Sequence, residues 1–102
     1  MLASFAVVPM GTVGGVKNLV AEALAIVDAS GLPYKLGAMN TTIEGEADKV
    51  MDVIMRCHRR VLELSPRVLT TITIDERKGA TGRIGGKVRD VEEVLGKKLG
   101  RE

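Results

Sequence analysis

Residues 41–75 read TTIEGEADKVMDVIMRCHRRVLELSPRVLTTITID, and this segment sets the architecture because it contains a strand, a helix and a second strand. Apolar residues recur at helical spacing from about Glu46 to Leu64, which predicts an amphipathic helix. The segment Arg67–Asp75 alternates and is rich in β-branched residues, so it predicts a strand. Thr41–Glu44 predicts another strand just before the helix.

The residues upstream predict a second unit of the same kind. Leu2–Pro9 is short and apolar, which is typical of a buried strand. Apolar residues at helical spacing then run from Val16 to Val27, and Ser30-Gly31-Leu32-Pro33 ends the predicted helix. Tyr34–Met39 predicts a strand that meets the strand at 41–44 in a turn near Asn40.

The element order is therefore β-α-β-β-α-β, followed by a closing helix. Because each β-α-β crossover is right-handed, two interleaved units give an α+β ferredoxin-like sandwich with an antiparallel four-stranded sheet. We expect a single domain over residues 1–102, with its core in 1–77. Residues 78–86 contain four glycines and predict a mobile loop, and Val88, Val91, Leu95 and Leu99 predict a C-terminal helix over 87–99.

Composition narrows the function classes. Apolar residues make up 45% of the chain and charged residues 27%, as in a globular domain, and no apolar run is long enough to span a membrane. The one cysteine cannot form an internal disulfide, and the apolar N-terminal stretch has no basic residues before it, so we expect a cytoplasmic protein. Residues 77–102 carry eight Lys/Arg against four Asp/Glu, yet the chain has one Phe, one Tyr and no Trp. Nucleic-acid binding by stacking on the sheet is therefore disfavoured.

The predicted fold leaves one sheet face without helices. By alternation, that open face carries small apolar residues, hydroxyls and carboxylates: Leu2, Ser4, Ala6, Val8, Thr42, Glu44, Leu69, Thr71, Thr73 and Asp75. A second stripe on the helix at 46–64 carries Met51, Met55, His58 and Leu62. Two apolar surfaces outside the core predict a homo-oligomer, which we expect to be a dimer of dimers.

Glu44 is the most informative polar position, because a carboxylate on a partly apolar face is costly unless it is paired. We expect either a bound ligand or a salt bridge to Arg67 or Arg77. Cys57 falls on the core stripe of its helix and His58 beside it, so the two side chains diverge and do not form a catalytic pair. The motifs require no catalytic residue, metal or cofactor, and we expect a protein that is not an enzyme.

The stretches LASFAVVPMG, GLPYKLGAMNTTIEGE, CHRRVLEL, RVLTTITIDER and GKVRDVEEVL, in this order, resemble the family of small thiamine-binding proteins of about 100 residues. The resemblance implies a ferredoxin-like tetramer that binds thiamine or its hydroxymethylpyrimidine portion without catalysis, on the open face near a subunit interface. In such a site Glu44 would accept a hydrogen bond from the ligand's amino group, and compact polar side chains would surround the rings. The implied ligand-binding residues are Ser4, Tyr34, Met39, Asn40, Thr41, Thr42, Glu44, Thr71 and Thr73. The glycine-rich segment Gly79 to Gly86 departs from the family pattern.

Three other functions stay open on the same fold. An ACT-like regulatory module would bind an amino acid at a subunit interface, although such a module is normally attached to an enzyme. An acylphosphatase-like enzyme needs an arginine in the loop after the first strand, and residues 9–16, PMGTVGGV, contain none. An RNA-binding sheet lacks its aromatic residues. A binding protein for a thiamine-like small molecule is the reading we favour.

Overall fold

Four strands and three helices follow one another in a computed structural model that describes residues 1–11, 16–79, 82–96 and 100. The elements are β1 (Leu2–Met10), α1 (Lys17–Ala29), β2 (Tyr34–Leu36), β3 (Thr41–Glu44), α2 (Ala47–Leu64), β4 (Arg67–Asp75) and α3 (Arg83–Leu95). None of these helices is both long and apolar enough to cross a membrane.

The strands form one antiparallel sheet in the order β2-β3-β1-β4. β1 lies between β3 and β4, and it pairs with β4 over its whole length, from Leu2 opposite Asp75 to Met10 opposite Arg67. This order, with a helix in each crossover, is the predicted ferredoxin-like arrangement, and the α+β prediction is confirmed.

The core lies between one sheet face and the helices α1 and α2. Its buried apolar residues are Ala3, Phe5, Ala23, Val27, Ile43, Val50, Val53, Ile54, Cys57 and Val61. Those on α2 are the residues whose spacing predicted the helix, and those on β1 and β3 alternate along their strands. The apolar stripes of α1 and α2 are buried against one face of the sheet, as the apolar spacing in the sequence predicted.

α3 lies on the opposite sheet face. Ile43 points toward α1 and α2 and is fully buried, so its neighbour Glu44 points the other way, where its carboxylate contacts the start of α3. The helix covers the β3 side of this face. On the β1–β4 side, Val8 and Leu69 are half exposed.

Two predicted boundaries are wrong. β2 ends at Leu36 rather than at residue 39, because Gly37 begins a tight turn in which its N–H donates to the carbonyl of Asn40 at 2.9 Å. α3 begins at Arg83, four residues before the predicted start at 87, so the predicted loop at 78–86 extends too far. Gly82, at φ +64°, precedes the helix, and Gly85 and Gly86 lie within its first turn.

The C-terminal end of α3 also differs from the prediction. The helix ends at Leu95, and Gly96 adopts φ +70° and donates its N–H to the carbonyl of Glu92 at 2.8 Å. This is the left-handed conformation that commonly follows a helix and favours glycine. The remaining predicted helical residues 97–99, loop residues 80–81 and the glycine-rich turn at 12–15 lie outside the described residues.

Candidate ligand-binding site

A row of hydroxyl groups crosses the open face of the sheet. Ser4 on β1 lies opposite Thr42 on β3 and, on its other side, opposite Thr73 on β4. Directly opposed side chains on neighbouring antiparallel strands lie about 4.5–5.5 Å apart at Cβ. Three small hydroxyls therefore span three strands, and Lys35 of β2, opposite Thr42, ends the row.

The next row leaves space above the sheet. It pairs Ala6 with Thr71, whose side chain is exposed. Asn40, in the turn before β3, reaches onto this face and donates its side-chain N–H to Oγ of Ser4 at 3.0 Å. Six of the nine residues predicted for the site thus share one face: Ser4, Asn40, Thr42, Glu44, Thr71 and Thr73.

The other three predicted residues do not lie on that face. Thr41 is buried on the helix side, because it alternates with Thr42. Tyr34 is opposite Ile43, and its hydroxyl donates to Asp28 of α1 at 2.8 Å, a bond that raises the pKa of the tyrosine. Met39 lies in the turn and is 88% exposed. Neighbours in sequence therefore fall on different sides of the sheet, because side chains alternate along a strand.

Glu44 is buried, and α3 is its partner. The backbone N–H of Arg83 donates to Oε2 at 3.0 Å, and that of Ile84 donates to Oε1 at 3.2 Å. The first N–H groups of a helix have no partner within the helix, and the helix dipole favours a negative charge there. Within the described part of the chain, Glu44 forms no ion pair with Arg67 or Arg77. The carboxylate is thus paired as its burial requires, although with neither arginine.

α3 and the open face border an open cavity beside this contact. It has a volume of about 480 Å³ and is lined by Lys35, Thr42, Ile84, Gly85 and Val88, among others. Small-molecule sites in proteins measure about 300–1,000 Å³, so a ligand of one or two rings fits. A second cavity of about 620 Å³ lies on the other side of the first turn of α3, and Ile84 and Gly85 line both.

Sequence reasoning missed Lys35, Ile84 and Val88. The signal for the helix residues was present, because Ile84 precedes Val88, Val91 and Leu95 at the same helical spacing. The glycines at 85 and 86 concealed it by suggesting a loop.

Cys57 and His58 lie away from this site and contact other partners. Sγ of Cys57 is fully buried 3.3 Å from the carbonyl of Ala23, and burial raises the pKa of the thiol to about 11. Nδ1 of His58 lies 2.7 Å from Oγ1 of Thr70, on the helix side of β4. The thiol is a core group, as predicted, and the imidazole packs on its own subunit's sheet.

The model of a family described as thiamine-binding protein matches residues 3–92. The chain belongs to this family. Among its relatives, a UPF0045 protein of Mycobacterium bovis is 41% identical over 96 residues, which cover 93% of this chain and 94% of the relative. A UPF0045 protein of Methanothermobacter thermautotrophicus is 33% identical over 96 residues, covering 91% and 97%.

Solved structures of similar proteins share the fold. One from Methanocaldococcus jannaschii superposes with a TM-score of 0.82 at 28% identity, over 90% of this chain and 95% of that one. A domain of unknown function from Bacillus cereus gives a TM-score of 0.78 at 36% identity, with 85% of each chain covered. A Thermotoga maritima protein, described as a candidate for thiamine biosynthesis or salvage, gives 0.78 at 28% identity over 88% and 96%. The thiamine-binding family is thus supported by sequence and fold together.

Proposed function

We propose that this protein binds thiamine or its hydroxymethylpyrimidine portion, without catalysis, on the open face of the sheet. The observation that carries the proposal is the row of hydroxyls formed by Ser4, Thr42 and Thr73, with the amide of Asn40 bonded to its centre. Membership of the thiamine-binding family and the description of the Thermotoga maritima protein favour this class of ligand.

The polar groups of this row suit an aminopyrimidine. Such a ring offers an amino donor and ring-nitrogen acceptors, and each hydroxyl can donate one hydrogen bond and accept others. The cavity beside the row brings a ring against Thr42 on the sheet, with Ile84 and Val88 of α3 as an apolar wall. A few placed polar groups in a mostly apolar cavity are typical of small-molecule recognition.

A non-catalytic role fits the chemistry of this face. On the open face, Lys35, the amide of Asn40 and the carboxylates of Glu44 and Asp75 lie around the hydroxyl row, and both oxygens of Glu44 are bonded to α3. The thiol and the imidazole of the chain lie elsewhere. Ser4, at the centre of the row, is bonded to the amide of Asn40, which cannot act as the base that a hydroxyl nucleophile needs. The hydroxyls of the row are suited to holding a ligand rather than to transforming it.

We further propose that the protein is a dimer of dimers in the cytoplasm and that the site lies near a subunit interface. Val8 and Leu69 are 47% and 51% exposed on the same open face, four residues along their strands from the hydroxyl row. Apolar side chains grouped on an accessible sheet face favour association with a second copy. The one cysteine is buried in the core, and a single cysteine cannot form a disulfide within the chain, which suits a reducing compartment.

A thermal-shift panel tests the proposed function. The ligands are thiamine, its phosphates, hydroxymethylpyrimidine and several amino acids, the last because an ACT-like module would bind them. A ligand at about 100 times its Kd stabilises the folded state by about 2.7 kcal/mol, which raises the Tm by roughly 10–20 °C in a domain of this size. The proposal would be refuted if no thiamine-like compound raises the Tm, or if only amino acids do.

A further inference from the structure

The contact between Glu44 and α3 assigns the helix a part in the ligand site. We propose that the first two turns of α3 are the roof of the site, with Ile84 and Val88 against the ligand, and that Glu44 is a positioning residue that holds this roof in place. The inference rests on the proposed function and deepens it. It differs from the expectation that Glu44 itself binds the ligand's amino group.

The hydrogen bonds of Glu44 favour a positioning role. Each of its two oxygens already accepts a backbone N–H from α3, at 3.0 and 3.2 Å, and the side chain is only 9% exposed. A ligand that took over the carboxylate would leave two helix N–H groups without partners in a half-buried place. Unpaired buried donors are costly, so the bonds to the helix are the favoured use of this carboxylate.

The packing of α3 shows why the helix needs such an anchor. Its apolar stripe runs through Ile84, Val88, Val91 and Leu95, and the first two are half-buried at the cavity whereas the last two are 50% and 55% exposed. The apolar stripe of α3 therefore packs on the sheet through its first half, and in the second half Glu92 is also buried. Gly82, at φ +64°, turns the chain sharply into the helix at the place where Glu44 binds it.

The cavity connects the anchor to the ligand. It lies between the hydroxyl of Thr42 on the sheet and Ile84 and Val88 on the helix, so a bound ring contacts both layers. Ligand binding then adds contacts that hold α3 on the sheet, and loss of the anchor removes one wall of the site. Occupancy of the site and the position of α3 are thereby coupled.

The test compares Glu44→Gln with the parent for two ligands, hydroxymethylpyrimidine and an analogue that lacks the amino group. Gln keeps the size but has one oxygen in place of two, so one helix bond is lost. Because the effect passes through α3, affinity should fall by a similar factor, roughly tenfold, for both ligands. Glu63→Gln, which removes a carboxylate paired with Arg60 on the outer face of α2, should leave both affinities unchanged.

Hydrogen exchange separates the two roles, because a Glu44 that only contacted the ligand would not alter the exchange rates of α3 amides in the ligand-free protein. Amides of α3 should exchange faster in ligand-free Glu44→Gln than in the parent, while those of α2 stay the same, and ligand should slow the α3 amides of the parent. Val88→Ala, which trims the roof and leaves the core intact, should weaken both ligands and serves as the second variant where Glu44→Gln is too unstable.

Two results would overturn the inference. A loss confined to the amino-bearing ligand, with unchanged exchange in α3, would make Glu44 a direct ligand contact and leave the proposed function standing. Equal affinity of Val88→Ala and the parent would remove α3 from the site. If the parent binds none of hydroxymethylpyrimidine, its analogue and thiamine, the proposed function is wrong, and so is the proposal for α3 that rests on it.

Discussion

Two threonines on opposite faces of the sheet give a matched test of where the ligand binds. Thr42→Val removes a hydroxyl that lines the cavity and for which the described residues supply no hydrogen-bond partner. Valine has nearly the same shape, so the free energy of unfolding should change by less than about 0.5 kcal/mol. A ligand group left without its hydrogen bond costs about 0.5–1.5 kcal/mol, which lowers affinity roughly two- to tenfold.

Thr70→Val is the control, because it removes the same group from the helix side of β4. Its Oγ1 lies 2.7 Å from Nδ1 of His58, so this variant should lose about 1 kcal/mol of stability and bind ligand like the parent. Calorimetric titration with hydroxymethylpyrimidine, together with chemical unfolding of both variants, separates the two effects. Weaker binding by Thr70→Val, or parent-like binding by Thr42→Val, would refute the placement of the ligand on the open face.

Three further predictions concern the core and the assembly. Ile54→Ala should lower the free energy of unfolding by about 2–5 kcal/mol, because the side chain is fully buried, and a smaller loss in urea unfolding would mean that the core relaxes around it. Burial favours the neutral thiol of Cys57 and raises its pKa from 9.0 to about 11, so the stability that the neutral thiol contributes to the fold is complete below pH 9 and lost as the pH rises through 11. Thiol labelling at pH 8 should therefore be far slower in the native than in the unfolded protein, and equal rates would contradict this. Met55→Glu charges the α2 stripe and should give a smaller assembly with unchanged helical circular dichroism, whereas light scattering near 10.9 kDa for the parent would exclude the tetramer.

The fold was predictable because its elements follow local patterns. Apolar spacing on α2 and alternation on β4 each specify an element and its buried face, and the right-handed crossover then leaves one topology. Alternation also placed Ser4, Thr42 and Thr73 on a common face, and the strand register puts them in one row. The hydroxyl part of the site is therefore a consequence of strand periodicity.

The position of α3 beside Thr42 was not predictable in the same way. Glycines at 85 and 86 weaken the local preference for helix. The start of α3 is instead held by a hydrogen bond from the backbone N–H of Arg83 to Glu44, which lies 39 residues away in the sequence. Tertiary contacts of this kind leave no periodic signal. Tyr34 differs from this case, because its pairing with Ile43 places it on the helix side, where its hydroxyl donates to Asp28 of α1 and not to the ligand site implied by the resemblance.

The central claim is that a thiamine-like ligand lies on the open face between the hydroxyl row and α3, and chemical-shift mapping of the labelled protein with hydroxymethylpyrimidine tests it most directly. We expect the largest amide shifts on Ser4, Thr42 and Thr73 of the sheet and on Ile84 and Val88 of α3. Shifts confined to the cavity of about 220 Å³ between α1 and the β2–β3 turn, around Val20 and Met39, would contradict it. So would a titration to saturation in which none of the open-face amides moves.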